Sequence, residues 1–235
     1  MVPARRCSRR PLPRPDTARQ RPRRRLRPIG RSTTAHHAPE PTGALTGGSR
    51  APPSLGGVER TPDFSAVVLA GGRGSRLGGV DKALLVVDGR TLLDRVLDAV
   101  GGPGRAVVVG PPRDVPGVRW AREEPPGGGP LAGLAAGLRH AAAELVVVLA
   151  VDQPGVTRST VDRLLAAVGD AGAVLVDAGG RPQWLTGAWR ADRLRAAMPA
   201  DPRDASARSV LGALDPVHVP ALPGEARDVD TPADL

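Results

Sequence analysis

Three short stretches carry the residue types able to do chemistry. The first is LAGGRGSRLGGVDK, residues 69–82. Its glycines let backbone amides approach an oxyanion, and successive N–H groups on such a turn can hold phosphate. Arg73, Arg76 and Lys82 add three cations to offset triphosphate charge. Two familiar phosphate fingerprints fail here. A P-loop needs Gly-Lys-Ser/Thr at its end, whereas Gly79 is followed by Val80, Asp81 and Lys82; the dinucleotide pattern needs a glycine where Leu77 stands. On spacing alone, an ordinary glycine turn with surface arginines remains open. Lys82 stands apart from the arginines because it is the only lysine in the chain. A position that keeps lysine where arginine has replaced it elsewhere points to a need for a compact, flexible ammonium.

The second stretch is LAVDQP, in which Asp152 follows the most hydrophobic run of the chain. A carboxylate at the carboxyl end of a strand, facing a cationic loop, can hold Mg²⁺ through one or two protein oxygens plus substrate phosphates. A turn-forming or helix-capping aspartate before Pro154 is the other reading. The third stretch is EEPPGGGPLAGL, residues 123–134, where a glycine run leads into a helix amino terminus that favours an anion or a polar base edge. Glu123 or Glu124 can accept hydrogen bonds from the exocyclic amine and ring N–H of guanine; a solvated acidic pair is the plainer alternative. The four histidines show no ligand spacing: His36 and His37 lie in the basic leading segment, His140 in a predicted helix and His218 in a predicted strand. No Ser-His-Asp or Cys-His arrangement is suggested.

The surrounding pattern must place these stretches. Residues 66–70, 106–110, 145–152 and 173–176 are continuous apolar runs of the kind buried on both faces of a parallel sheet. Thr91 with Asp94 predicts a helix start, with Leu92, Leu93, Val96, Leu97 and Val100 on one face. Ser159 with Asp162 predicts another, with Val161, Leu164, Leu165 and Val168 at helical spacing. A third helix is expected from Pro130, with Leu131, Leu134, Ala135 and Leu138 along one side. Strand and helix in alternation predict an α/β fold, a three-layer, doubly wound, mostly parallel sheet. Ligands of such sheets bind at the carboxyl ends of the strands, where all three stretches fall.

Composition and charge narrow the function classes. The chain of 235 residues lacks Tyr and Asn and is rich in Arg, Ala, Gly and Pro, as a very GC-rich genome would produce, so excess arginine alone is no sign of function. The formal charge of +9 is local: fourteen arginines against Asp16, Glu40 and Glu59 give residues 1–60 a net +11, leaving the other 175 at −2. Residues 1–62 show no periodicity and are expected to be a disordered Arg/Pro-rich tail, followed by one domain over 63–235. With no aromatic residue among the tail arginines to stack on bases, a solvated tail or a stretch translated from a misassigned start is favoured over a nucleic-acid arm. Cys7 is the single cysteine, so a disulfide or cysteine metal site within one chain is excluded. No apolar run approaches the roughly 18 residues of a membrane span, and Arg9 and Arg10 precede no apolar segment. A soluble, cytoplasmic protein without a membrane partner is expected.

LAGGRGSRLGGVDK, GPLAGL and VDQP together resemble the molybdenum cofactor guanylyltransferases, the MobA-like NTP transferases, over residues 64–235. The resemblance implies a nucleotidyltransferase that joins GMP from GTP to molybdopterin, with or without its metal, and releases pyrophosphate. In that family the first loop binds GTP, which implies nucleotide contacts from Leu69, Ala70, Gly71, Gly72 and Arg73; the lysine matching Lys82 contacts phosphate. An acidic residue before the GPLAG segment recognises guanine, which implies Glu124 and the neighbouring Gly129. The aspartate matching Asp152 holds Mg²⁺; Asp230, where the family's closing motif has Asn before Thr-Pro, is a second metal candidate or a pterin contact. Lys82, Arg76 and Asp152 are the expected catalytic residues. GRPQWLTGAW, residues 180–189, resembles the segment near the pterin, and DVDTPADL, residues 228–235, the closing motif. Gly110 stands where the family has Asn. Related cytidylyltransferases usually carry LAAG, so Gly71 favours GTP over CTP. Contacts with molybdenum cofactor biosynthesis proteins or acceptor apoenzymes are implied, and nucleic acid is not. Two other readings stay open: a cytidylyltransferase or sugar-phosphate transferase of the same fold, and a non-catalytic nucleotide- or nucleic-acid-binding protein.

Overall fold

The computed structural model describes residues 62–71, 81–230 and 234. Residues 1–61 and 72–80, with the expected tail and the middle of the glycine-rich loop, lie outside the described residues. Nine strands and five α-helices run along the described chain: β1 (Phe64–Leu69), β2 (Val86–Val87), β3 (Arg90–Thr91), α1 (Leu92–Ala99), β4 (Ala106–Val109), β5 (Arg119–Ala121), α2 (Pro130–Leu138), β6 (Leu145–Ala150), α3 (Arg158–Ala166), β7 (Gly172–Val176), β8 (Pro182–Arg190), α4 (Ala191–Ala197), α5 (Ala207–Gly212) and β9 (Val217–Pro220). Seven strands form one sheet in the order β5-β4-β1-β6-β8-β7-β9, while β2 and β3 pair as a separate hairpin. β1, β4, β5 and β6 are mutually parallel, and β9 runs parallel to β7. β8 is antiparallel to both its neighbours. The sheet is therefore mostly parallel, as the apolar runs predict, with one reversed strand inserted between β6 and β7.

Two buried apolar clusters lie on opposite faces of the sheet and make the three layers. One joins α1 and α3 to β1, β4 and β6 through Leu92, Leu93, Val96, Leu164 and Leu165; the other joins α2 and α4 through Leu131, Leu134 and Leu194. α2 reaches the sheet closely because its inner face carries glycine. A Cβ built on Gly137 would lie 2.4 Å from Val67 Cγ1, so the helix can seat at this depth only without that carbon.

The Thr91 prediction matches the structure: Thr91 caps α1 by accepting from the Asp94 amide at 3.0 Å. The Ser159 start is corrected. α3 begins at Arg158 behind Thr157, whose amide donates to Thr160 Oγ1 at 3.0 Å. Thr157 and Thr160 thus hold the three-residue spacing slightly earlier in the chain, and Ser159 lies inside the helix. His140 falls in the turn after α2 and not within a helix, while His218 lies in β9 as expected.

Candidate functional site

The parallel pairing of β1 with β6 brings two of the expected stretches side by side. Leu69 is in register with Ala150, and the Val151 amide donates to the Leu69 carbonyl at 3.1 Å. The turn at Ala70 and Gly71 therefore lies beside the turn at Asp152, both at carboxyl ends of strands. The closing segment joins them, because the Val229 amide donates to the Asp152 carbonyl at 2.8 Å. Leu69 and Ala70 are buried, whereas Gly71 is exposed. Among the described residues a Cβ on Gly71 would meet only Val109 O at 3.7 Å and Gly110 Cα at 3.8 Å, ordinary contacts, so their packing does not require glycine there. Gly72, Arg73 and Arg76 lie outside the described residues.

Lys82 opens a 3-10 turn, Lys82–Leu84, capped by the Asp81 carboxylate through the Ala83 amide at 3.1 Å. From that turn its Nζ donates to Asp230 Oδ1 at 2.6 Å and to Asp152 Oδ2 at 3.2 Å. Three residues 70 and 78 positions apart in sequence thus converge on one ammonium. Burial alone would lower its pKa, but the hydrogen bond to Asp230 and the charges of both carboxylates outweigh it and hold the group above the ordinary lysine value. Lys82 is a fixed cation at neutral pH.

Beside this triad lies a polar chain that sequence spacing did not single out. Gln153 is buried and spends its amide fully: it accepts from the Thr186 hydroxyl, donates to Asp228 Oδ1 at 3.0 Å and approaches Gln183 Oε1 at 3.4 Å. The chain links the Asp152 turn to β8 and to the closing segment. Partial burial pushes the Asp228 carboxyl above its usual range, and the charges of Asp152 and Asp230 add to that; the Gln153 hydrogen bond and Lys82 oppose it. One signal was available: a glutamine three residues past a long apolar strand must satisfy its amide if the turn is buried.

The third stretch is placed differently. Gly129, at φ +88°, is the residue before α2, as the glycine run implies. Glu123 and Glu124 line an open cleft of about 510 Å³ with Ala132 and Ala135 of α2, Arg139 just after it and residues 200–203; Lys82, Asp152 and Asp230 are not in its lining. Glu123 is anchored, accepting from the Gly127 amide at 2.9 Å, while Glu124 is exposed.

Residues 66–217 match the model of the MobA-like NTP transferase domain. The chain belongs to the MobA-like NTP transferase family. It is 47% identical over 113 residues to a molybdenum cofactor guanylyltransferase from Acidiphilium cryptum, a match covering 43% of this chain and 57% of the relative. Three of the guanylyltransferase relatives are matched over 54–59% of their own length, so the chain spans little more than half of each. Among solved structures it resembles a nucleotidyl transferase from Methanothermobacter thermautotroptrophicus, at 28% identity and TM-score 0.56, over 72% of this chain and 93% of the other. It also shares its fold with 2-C-methyl-D-erythritol 4-phosphate cytidylyltransferase from Thermus thermophilus, at 24% identity and TM-score 0.53, over 73% and 95%. The MobA-like match spans β1 through the start of β9, hence the Lys82 and Asp152 turns, and ends before Asp230.

Proposed function

We propose that this MobA-like chain transfers GMP from GTP to molybdopterin and releases pyrophosphate. The observation that carries the reading is the convergence of Lys82, Asp152 and Asp230 beside the Ala70–Gly71 turn, at the carboxyl edge of β1 and β6. A terminal phosphate oxygen of the pterin attacks the α-phosphorus of GTP; the bond from that phosphorus to the bridging oxygen breaks, and pyrophosphate carries the electron pair away. The protein's work is positioning and electrostatics. Lys82 holds its positive charge against the departing phosphates, and Ala70 and Gly71 present backbone to the nucleotide. Asp152 and Asp230 each bond Lys82 through one carboxylate oxygen and have a second beside it, hard oxygen donors of the kind that suits Mg²⁺. Among the described residues no group of three or more His, Cys, Asp or Glu is arranged to hold a metal. Asp152 and Asp230 would therefore hold the ion together with substrate phosphates and water, and the ion would supply charge neutralisation on the phosphates. No described helix is long and apolar enough to cross a membrane.

The fold is shared with a cytidylyltransferase, so the choice of base rests on Gly71, where contacts with the described residues do not themselves demand glycine. Pyrophosphate release with molybdopterin as acceptor, compared between wild type and Asp152→Asn across a Mg²⁺ titration, tests the reading. The variant is expected to need at least about tenfold more Mg²⁺ for half-maximal turnover. An unchanged Mg²⁺ response would reject Asp152 as the ligand.

A further inference from the structure

Several arginines of the described chain are well solvated: Arg181 is 84% exposed and Arg203 53%. Arg113, in the β4–β5 connection, is different. Its side chain is 9% exposed and each of its three nitrogens donates a hydrogen bond. Nε and Nη2 grip the two oxygens of Asp81 at 2.8 and 2.6 Å, a bidentate fork. Nη1 donates to the Pro111 carbonyl at 3.1 Å, Nη2 also approaches the Ala70 carbonyl at 3.4 Å, and the guanidinium lies over the Trp120 ring at 5.4 Å. One nitrogen therefore touches both the end of β1 and the residue before Lys82, the two flanks of the glycine-rich segment.

Asp81 is equally committed. The carboxylate held by Arg113 also caps the turn that Lys82 opens, and the turn continues through Leu84 N to Asp81 O and Leu85 N to Lys82 O, both 3.1 Å. A rigid path thus runs from the β4–β5 connection through Arg113 and Asp81 to the backbone of Lys82, one peptide away.

We propose that Arg113 is a positioning residue for Lys82: through Asp81 it fixes the turn from which the ammonium reaches Asp152 and Asp230. Its consequence for turnover rests on the nucleotidyl-transfer reading above; the clamp itself does not. A planar fork buried between backbone and carboxylate fixes direction as well as charge, which a single point donor does not. A reacting group misplaced by about 1 Å can cost on the order of 10²-fold in rate.

Because Lys82 is the only lysine, acylation of the full-length protein by an amine-reactive ester, read by mass spectrometry of the peptide bearing residue 82, reports one side chain. The experiment compares wild type, Arg113→Met, Asp81→Asn and, as a destabilised control in the apolar cluster on the other face of the sheet, Leu194→Ala, each checked for native circular dichroism. Loosening the turn frees the amine from its carboxylates and opens it to the reagent. At pH 8 the Arg113 and Asp81 variants are expected to acylate Lys82 at least about fivefold faster than wild type, with the control unchanged, and to lose roughly 10- to 100-fold in kcat/KM for GTP. If Arg113→Met does not fold, Asp81→Asn carries the test. Wild-type acylation rates in folded variants would overturn the clamp even if GTP turnover is normal in the wild type. Faster acylation in a protein whose wild type turns over no GTP would keep the clamp and reject the nucleotidyl-transfer reading.

Discussion

Lys82 is held by two carboxylates that are themselves partly exposed, at 29% and 47%, so its removal should affect chemistry far more than folding. Lys82→Ala is expected to lower GTP turnover by about 10²- to 10³-fold, the scale of losing one preorganised charge contact. The accompanying stability loss should be about 1 kcal/mol or less, as for other solvent-screened pairs, and a thermal melt beside the rate assay checks both. Gly71→Ala addresses specificity. Its Cβ finds ordinary contacts at 3.7–3.8 Å, so the fold should be unchanged, while the GTP-over-CTP ratio in kcat/KM should fall by roughly tenfold or more. Lys82 could be singled out from sequence because it breaks a compositional rule. Arg113 could not, because one arginine among so many carries no signal, and its partner Asp81 lies 32 residues away.

Elements show the same division between local and long-range information. Thr91 and Asp94, four residues of chain, suffice to start α1, and the apolar runs of β1, β4 and β6 announce strands buried on both faces. β8 was illegible as a strand: PQWLTGAWR begins with proline, is interrupted by Gly187 and alternates poorly, and only its partners β6 and β7 make it a strand. The α3 start moved to Thr157 because two threonines cap each other there, a choice that Ser159 and Asp162 at the same spacing could not reveal. Gly137→Ala would place a carbon 2.4 Å from Val67 and should cost about 1–3 kcal/mol in a denaturant titration, by forcing α2 off the sheet. Glu225, 4% exposed, ties the segment after β9 to α3 through Arg163 at 2.7 Å and Thr160 at 2.6 Å. Burial opposes its charge, but the Arg163, Thr160 and Leu222 hydrogen bonds prevail and hold its pKa below the ordinary glutamate value. That stabilisation is present above the unfolded value near 4.5 and is lost as pH falls through the lower folded value. Glu225→Gln should therefore cost about 1–3 kcal/mol at pH 7, and the gap to wild type should close as pH falls below 4.5 and through the lower folded value.

At the scale of the molecule, charge and chemistry are separated along the chain. The arginine excess lies in residues 1–60, while Lys82, Asp152 and Asp230 belong to a body with a formal charge of −2. A nucleic-acid-binding reading needs the former; nucleotidyl transfer needs only the latter. Deleting residues 1–60 is expected to leave kcat/KM for GTP within about twofold of the full chain, and a large loss would favour the tail as a functional arm. The proposed seat of the reaction is the carboxyl edge of the doubly wound sheet, where three residues distant in sequence meet. The most direct test incubates the full chain with Mg²⁺, molybdopterin and either GTP or CTP, and measures pyrophosphate together with the pterin dinucleotide formed. Equimolar pyrophosphate and guanine dinucleotide from GTP, with little product from CTP, is the predicted result. Equal or greater product from CTP, or no dinucleotide from GTP, would contradict it.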